Sequence, residues 1–154
     1  MKELINAIKA KLVAAASLSY ITDSTGIWIT PNENILPINA TFPGIGIKDG
    51  PITRIVHTNL KWEVHLNINI IVYVEPDWTA AATSITGQTS PLIHGILDIA
   101  DDIHGVLNEE CLSITGMEQA FCISEGEAEI IPYDDLAVLQ KRLDYEYIKE
   151  ENRP

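Results

Sequence analysis

The residues of this 154-residue chain with the most chemistry to offer are four histidines, two cysteines and several grouped carboxylates. His94 and His104 stand ten positions apart on what reads as one helix. That is about 15 Å along the axis, too far to share a metal ion. His65 falls on the polar side of a long predicted strand, and His57 lies near it if a hairpin joins them. Two cross-strand imidazoles can bind a metal ion, but ordinary polar surface is the simpler reading. Asp98 and Asp102, at i and i+4 with Asp101 between them, are helix neighbours. Paired carboxylates can serve as acid and base. No nucleophile motif accompanies them, so a solvated helix face is expected. Glu125, Glu127 and Glu129 alternate along a predicted strand and should face water or a basic partner.

Cys111 and Cys122 form neither a C-x-x-C pair nor a zinc-ligand pattern. A disulfide stays open, and two buried thiols in a reducing compartment is the reading adopted. Gly44-Ile45-Gly46 lacks the third glycine of a dinucleotide loop, and no phosphate-loop signature is present. G-x-S-x-G and H-E-x-x-H are absent too. The sequence therefore assigns no catalytic, cofactor-binding or metal-ligating residue, and no cofactor.

The elements that would position these residues follow from composition and periodicity. The length suits one domain over residues 1–154, with 46% apolar and 21% charged residues. No apolar run approaches the roughly 18 residues that span a bilayer, so no membrane partner is expected. Lys9 and Lys11 before Leu12–Ile21 faintly resemble an export signal. Glu3 and Asn6 and the helical spacing argue instead for an intracellular chain. Net charge is −12, unevenly placed. Residues 1–61 carry six positive and four negative charges, a net of +2; residues 62–154 carry four and eighteen, a net of −14. Clustered cations that would displace counterions from a duplex are lacking.

Leu4, Ile5, Ile8, Leu12, Ala15 and Ala16 recur at helical steps and predict a helix over residues 2–18. Asp23-Ser24-Thr25-Gly26 reads as a turn, Ile27–Ile29 as a short strand, and residues 31–34 as another turn. A strand over residues 40–47 should end at Lys48-Asp49-Gly50-Pro51, with a further strand over 52–58. Residues 62–74 alternate apolar and polar from Trp62 to Val74, a strand with one buried face. At about 3.4 Å per residue it reaches about 44 Å, so part of it should project as a hairpin arm.

Residues 79–90 are rich in Thr, Ala and Ser and read as a mobile loop. Ser90-Pro91 is the expected N-cap and first position of a second helix reaching about residue 109. Gly95 and Gly105 within it are expected to permit close approach to the sheet. Strands over 120–131 and from Leu139 to Tyr147 close the chain, with Asp134-Asp135 as the link. Trp28, Trp62 and Trp78 suit packing, Trp78 being the one placed for an interface. The fold class expected is α+β, a mainly antiparallel sheet with a long β-hairpin and two helices packed on one face.

Three segments carry a resemblance. Phe42-Pro43-Gly44-Ile45-Gly46-Ile47-Lys48-Asp49-Gly50, the long strand 62–74, and Leu143-Asp144-Tyr145-Glu146-Tyr147 together resemble the tail terminator proteins of long-tailed bacteriophages, also called tail completion or head–tail joining proteins. The likeness is one of layout across most of the chain. It implies a non-enzymatic virion structural protein at the tail or neck, present in host cytoplasm during assembly. It implies self-association as a hexameric ring on the tail tube protein and docking to a head connector or stopper protein. DNA would pass through the lumen without specific binding, which an acidic surface suits. The interface candidates are Trp62, His65, Asn67 and Asn69 on the long strand and Trp78 and Ile85 in the Thr/Ala segment. The alternatives are a non-viral adaptor or binding module and a small hydrolase using Asp98, Asp102 and a histidine.

Overall fold

The computed structural model describes residues 1–22, 25–133 and 136–152. The turns expected at Asp23-Ser24 and Asp134-Asp135 fall outside them. The elements are α1 (Lys2–Ala14), β1 (Ile27–Ile29), β2 (Gly44–Val56), β3 (Lys61–Val74), α2 (Ala81–Thr86), β4 (Gln88–Thr89), β5 (Leu92–Ile93), α3 (Ile96–Leu107), β6 (Met117–Glu125), β7 (Glu129–Tyr133) and β8 (Leu136–Asn152). The main sheet has the order β1-β2-β3-β8-β6, with β7 beside the first part of β8. Its pairs are antiparallel except β1 with β2, which run parallel. The architecture is α+β, as expected.

Helix α1 places Leu4, Ile8 and Leu12 at four-residue steps on one buried stripe. It stops earlier than the periodicity suggests, because Ala15 is extended and a single 3-10 turn, Ala16–Leu18, follows. Helices α1 and α3 cover one face of the sheet. Beneath them lie Ile45 and Ile47 of β2, Val64 to Val74 at every second position of β3, and Leu143, Tyr145 and Tyr147 of β8. The alternation along β3 predicts a solvated opposite face. At one end it is not solvated: Ile71 and Tyr73 are fully buried against Trp28, Ile131 and Val138, with Leu36, Ala40 and Phe42 laid over them. The expectation of one buried face on the long strand thus fails at residues 70–74, where the connection from β1 to β2 folds back over the sheet.

Four further expectations are corrected. Lys48-Asp49-Gly50-Pro51 is no turn; β2 runs through it, and the ladder with β3 shifts register between Asp49 and Ile52. Pro51 has no N–H to give the ladder, and a bulge is where a strand tolerates that. The hairpin reverses instead at residues 57–60, where Lys61 N–H donates to the Thr58 carbonyl. Ser90-Pro91 does not start a helix; it is the turn joining β4 and β5. Helix α3 begins after Gly95, whose N–H donates to Asp98 Oδ2 at 3.1 Å. The strand expected over 120–131 is two strands, β6 and β7, parted around Gly126 and both held on β8. Residues 79–90 are not a bare loop, since they hold α2 and β4.

The glycine reading changes as well. A Cβ at Gly105 would meet nothing within 4 Å, whereas one at Gly95 would strike the Ile85–Gly87 backbone rather than the sheet. The thiols are free, Cys111 exposed and Cys122 half-buried, so two buried thiols is also corrected. Among the described residues, no helix is long and apolar enough to cross a membrane.

Candidate functional site

Beyond the covering connection, β2, β3 and the end of β8 continue as an arm in which β8 pairs with β3 as far as Lys61 and Ile52 lies beside the start of α1. Residues 51–60 are all exposed. Ile52, Ile55, Val56 and Leu60 are 42, 50, 54 and 77% exposed. Antiparallel alternation puts Ile52 and Val56 on one side of the arm and Ile55 on the other. Both sides of the tip therefore offer apolar area to a partner.

The polar side of the arm is a ladder of alternating charge. His65 Nε2 lies 2.7 Å from Glu63 Oε1 and its Nδ1 3.1 Å from Glu146 Oε1. His57 lies 3.5 Å from Glu63 and 3.8 Å from Glu150, which also pairs with Lys61. On the other side of the arm, with Ile52 and Val56, Arg54 lies 3.8 Å from Glu151. Hydrogen bonds to Glu63 and Glu146 raise the His65 pKa above its ordinary value. Each imidazole that was weighed as a cross-strand metal ligand is thus engaged by carboxylates. Each basic side chain on the arm has an acidic partner, which leaves little bare positive charge for a phosphate backbone.

The six interface candidates separate into three places. His65, Asn67 and Asn69 share the polar side of β3. Asn67 Nδ2 donates to the Pro51 carbonyl at 3.2 Å. Asn69 is buried and donates to Asp144 Oδ1 at 2.6 Å, an oxygen that also accepts from Arg142 Nε. Its side chain is committed to the sheet. Trp62 occupies the opposite side of β3, half-buried against the main core. Trp78 follows β3 and is 65% exposed, while Ile85 of α2 turns inward and packs on the core. The Trp78 segment is braced locally: Asp77 Oδ1 accepts from both the N–H and the hydroxyl of Thr79, and Asp77 N–H donates to Ser84 Oγ.

The carboxylates weighed for hydrolysis line an open groove of about 610 Å³ with His94, Thr86 and Gln88. The fold brings His94 to Asp98, Asp101 and Asp102, which names the histidine that the hydrolase alternative leaves open. Two of the three carboxylates already have structural partners. Asp98 caps α3, and Asp102 Oδ2 accepts from the Tyr20 hydroxyl at 2.9 Å. The His94 ring stacks on Tyr20 with centroids 3.7 Å apart. Burial and the Asp102 carboxylate push the Tyr20 pKa upward, so the phenol stays a donor.

A further juxtaposition escaped the sequence. His104 of α3 and Cys122 and Glu125 of β6 place one ligand-type atom each within 4.8 Å of the others. Spacing concealed it, because residues three apart on a regular strand point to opposite faces. A register shift between Cys122 and Ser124 puts both on the helix-facing side.

No family model matches the chain, and no curated protein matches it. Among solved structures it is similar to a chain in the virion of a native gene transfer agent particle. The identity is 13% and the TM-score 0.55, over 96% of this chain and 95% of the other. At that identity the likeness is one of fold.

Proposed function

We propose that the chain is a structural component of a phage-like virion, and within it the tail terminator: a ring-former that caps the tail tube and joins it to the head connector. The observation that carries this reading is the arm. Its tip exposes Ile52, Ile55, Val56 and Leu60, which the chain's own elements do not cover. The outer edge of β2 beyond Ile47, where β1 no longer pairs with it, together with apolar residues on both sides of the tip, invites pairing with a further copy or a neighbouring protein. Two other features support it. The near end-to-end fold likeness is to a chain in a virion particle. The acidic balance of residues 62–154 suits a lumen along which DNA slides without sticking. The small-hydrolase reading is disfavoured because Asp98 and Asp102 hold Gly95 and Tyr20.

Self-association is the property to test. The mass of the purified chain is measured from micromolar to millimolar concentration, alone and with tail tubes assembled from the cognate tube protein. Electron microscopy follows the tube ends. The expected result is a ring, formed alone or on the tube end, that stops tube growth. A monomer under every condition, tubes included, overturns the proposal. A one-to-one complex with a non-virion protein would favour the adaptor alternative.

A further inference from the structure

We infer that His104, Cys122 and Glu125 form a three-ligand site for a divalent transition ion of the zinc class, clamping the sheet edge to the helix layer.

The geometry begins with the edge strand. Cys122 stands opposite Tyr145 and Glu125 opposite Leu143, two residues of β8 that point under the helices. Without the intervening bulge, Glu125 would face the other way. Bulges of this kind re-aim a side chain and are frequent beside functional sites. His104, in the last turn of α3, reaches the same point from the layer above. Its Nε2 lies 3.0 Å from Glu125 Oε1, and the ligand-type atoms of all three residues lie within 4.8 Å of one another. Ligand atoms around a tetrahedral zinc ion stand about 3.4–3.7 Å apart, given bonds of about 2.0–2.3 Å. The His104–Glu125 pair must open by about 0.5 Å and a longer pair close by at most about 1 Å, adjustments that the half-exposed Glu125 side chain can share.

The surroundings orient the ligands. His104 Nδ1 lies 2.6 Å from the Tyr145 hydroxyl, which is fully buried with its ring. Metal-binding histidines characteristically have the second ring nitrogen held by such a partner. With the ion on Nε2, the imidazole proton sits on Nδ1 and donates to the Tyr145 oxygen. Glu125 Oε2 is held by Lys141 at 3.2 Å, leaving Oε1 directed toward His104. Lys141 also donates to the Gly126 carbonyl, so its charge is shared with the strand end and opposes the ion less than an unpaired ammonium would.

The donor set selects the ion. One thiolate, one imidazole and one carboxylate suit zinc or cobalt(II) rather than calcium or magnesium, which take oxygen cages. Binding replaces the Cys122 thiol proton, which leaves to solvent, with a sulfur–metal bond. The fourth position stays open to water. The outcome is a tie between α3 and β6.

Cobalt(II) is the probe, added to chelator-treated full-length protein carrying Cys111→Ser to silence the exposed thiol. One cobalt per chain is expected, with a thiolate-to-cobalt charge-transfer band in the near ultraviolet that zinc displaces. Cys122→Ser should abolish the band, and Glu125→Gln, a change at an exposed position, should weaken binding. Tyr145→Phe, which keeps the core packing, should weaken binding about 10- to 100-fold. Absence of the band in the Cys111→Ser protein overturns the site, as does undiminished cobalt binding in a folded Glu125→Gln variant.

Discussion

His65 Nδ1 lies 3.1 Å from Glu146 Oε1, two positions off its ladder partner Ile148, while its Nε2 meets Glu63 on its own strand. One imidazole thereby holds together two carboxylates on adjacent strands of the arm. That arrangement is favourable when the ring carries charge and lacks its ionic part when it does not.

A pH dependence follows. The hydrogen bonds to Glu63 and Glu146 raise the His65 pKa in the folded chain. A raised cation contributes stability that is complete below its unfolded value, about 6.5, and is lost as pH rises through the folded value. Thermal unfolding should therefore show the wild-type midpoint falling more steeply than that of His65→Gln as pH rises above about 6.5. Parallel slopes in the two proteins would mean the ring contributes nothing to the arm.

Ile71 and Ile55 should separate folding from assembly. Ile71 is fully buried on the covered end of the sheet, against Trp28 and Tyr73. Ile71→Ala should cost about 2–5 kcal/mol in denaturant unfolding. Ile55 is half exposed on the arm, and Ile55→Asp should change stability by about 0.5 kcal/mol or less while reducing ring formation on tubes. Equal destabilisation by both changes would place Ile55 in a core.

The sequence made the helix layer and the long hairpin legible because both rest on strict periodicity. The alternation from Trp62 to Val74 and the four-residue steps of Leu4, Ile8 and Leu12 are what the fold buries. Turn chemistry misled where tertiary pairing overrode it. Asp49-Gly50-Pro51 has turn residues, yet the ladder with β3 carries β2 through them as a bulge. Ser90-Pro91 has the residues of a helix start, yet α3 is capped by Asp98 on Gly95. Burial on both sides near Ile71 depended on a connection 30 residues earlier in the chain, which no local pattern records. The His104, Cys122 and Glu125 cluster was hidden for the same reason, since a bulge changes which strand residues share a face.

Glycine substitutions before α3 and within it should have opposite signs. Gly87 has φ +73°, and a Cβ there would collide with the Asp98 carboxylate that caps α3. Gly87→Ala should destabilise by about 1 kcal/mol or more through strain and loss of the cap. Gly105 lies inside α3 with nothing within 4 Å of a Cβ. Gly105→Ala should stabilise by about 0.5–1 kcal/mol, because alanine loses less backbone freedom in a helix. Chemical denaturation of the two single variants checks both, and equal signs would refute the geometry.

Trp78 and Ile85 should divide between binding and folding. Both sit in the segment that follows β3, which Asp77, Thr79 and Ser84 brace by hydrogen bonds. That bracing fixes the backbone, so the outward position of Trp78 belongs to the fold. The indole is 65% exposed, whereas Ile85 packs on the main core. An aromatic side chain held outward on a fixed backbone gives a partner large contact area at low entropic cost, the usual character of an interface anchor. Trp78→Ala should leave the unfolding free energy within about 0.5 kcal/mol of wild type and lower the yield of joined tails. Ile85→Ala should instead lower stability by about 1 kcal/mol or more, through lost burial. Hydrogen exchange distinguishes the two further: amides of residues 79–89 should slow on joining in wild type and in Ile85→Ala, and slow less in Trp78→Ala. If Trp78→Ala unfolds the domain, the indole belongs to the core and its assignment to the interface fails.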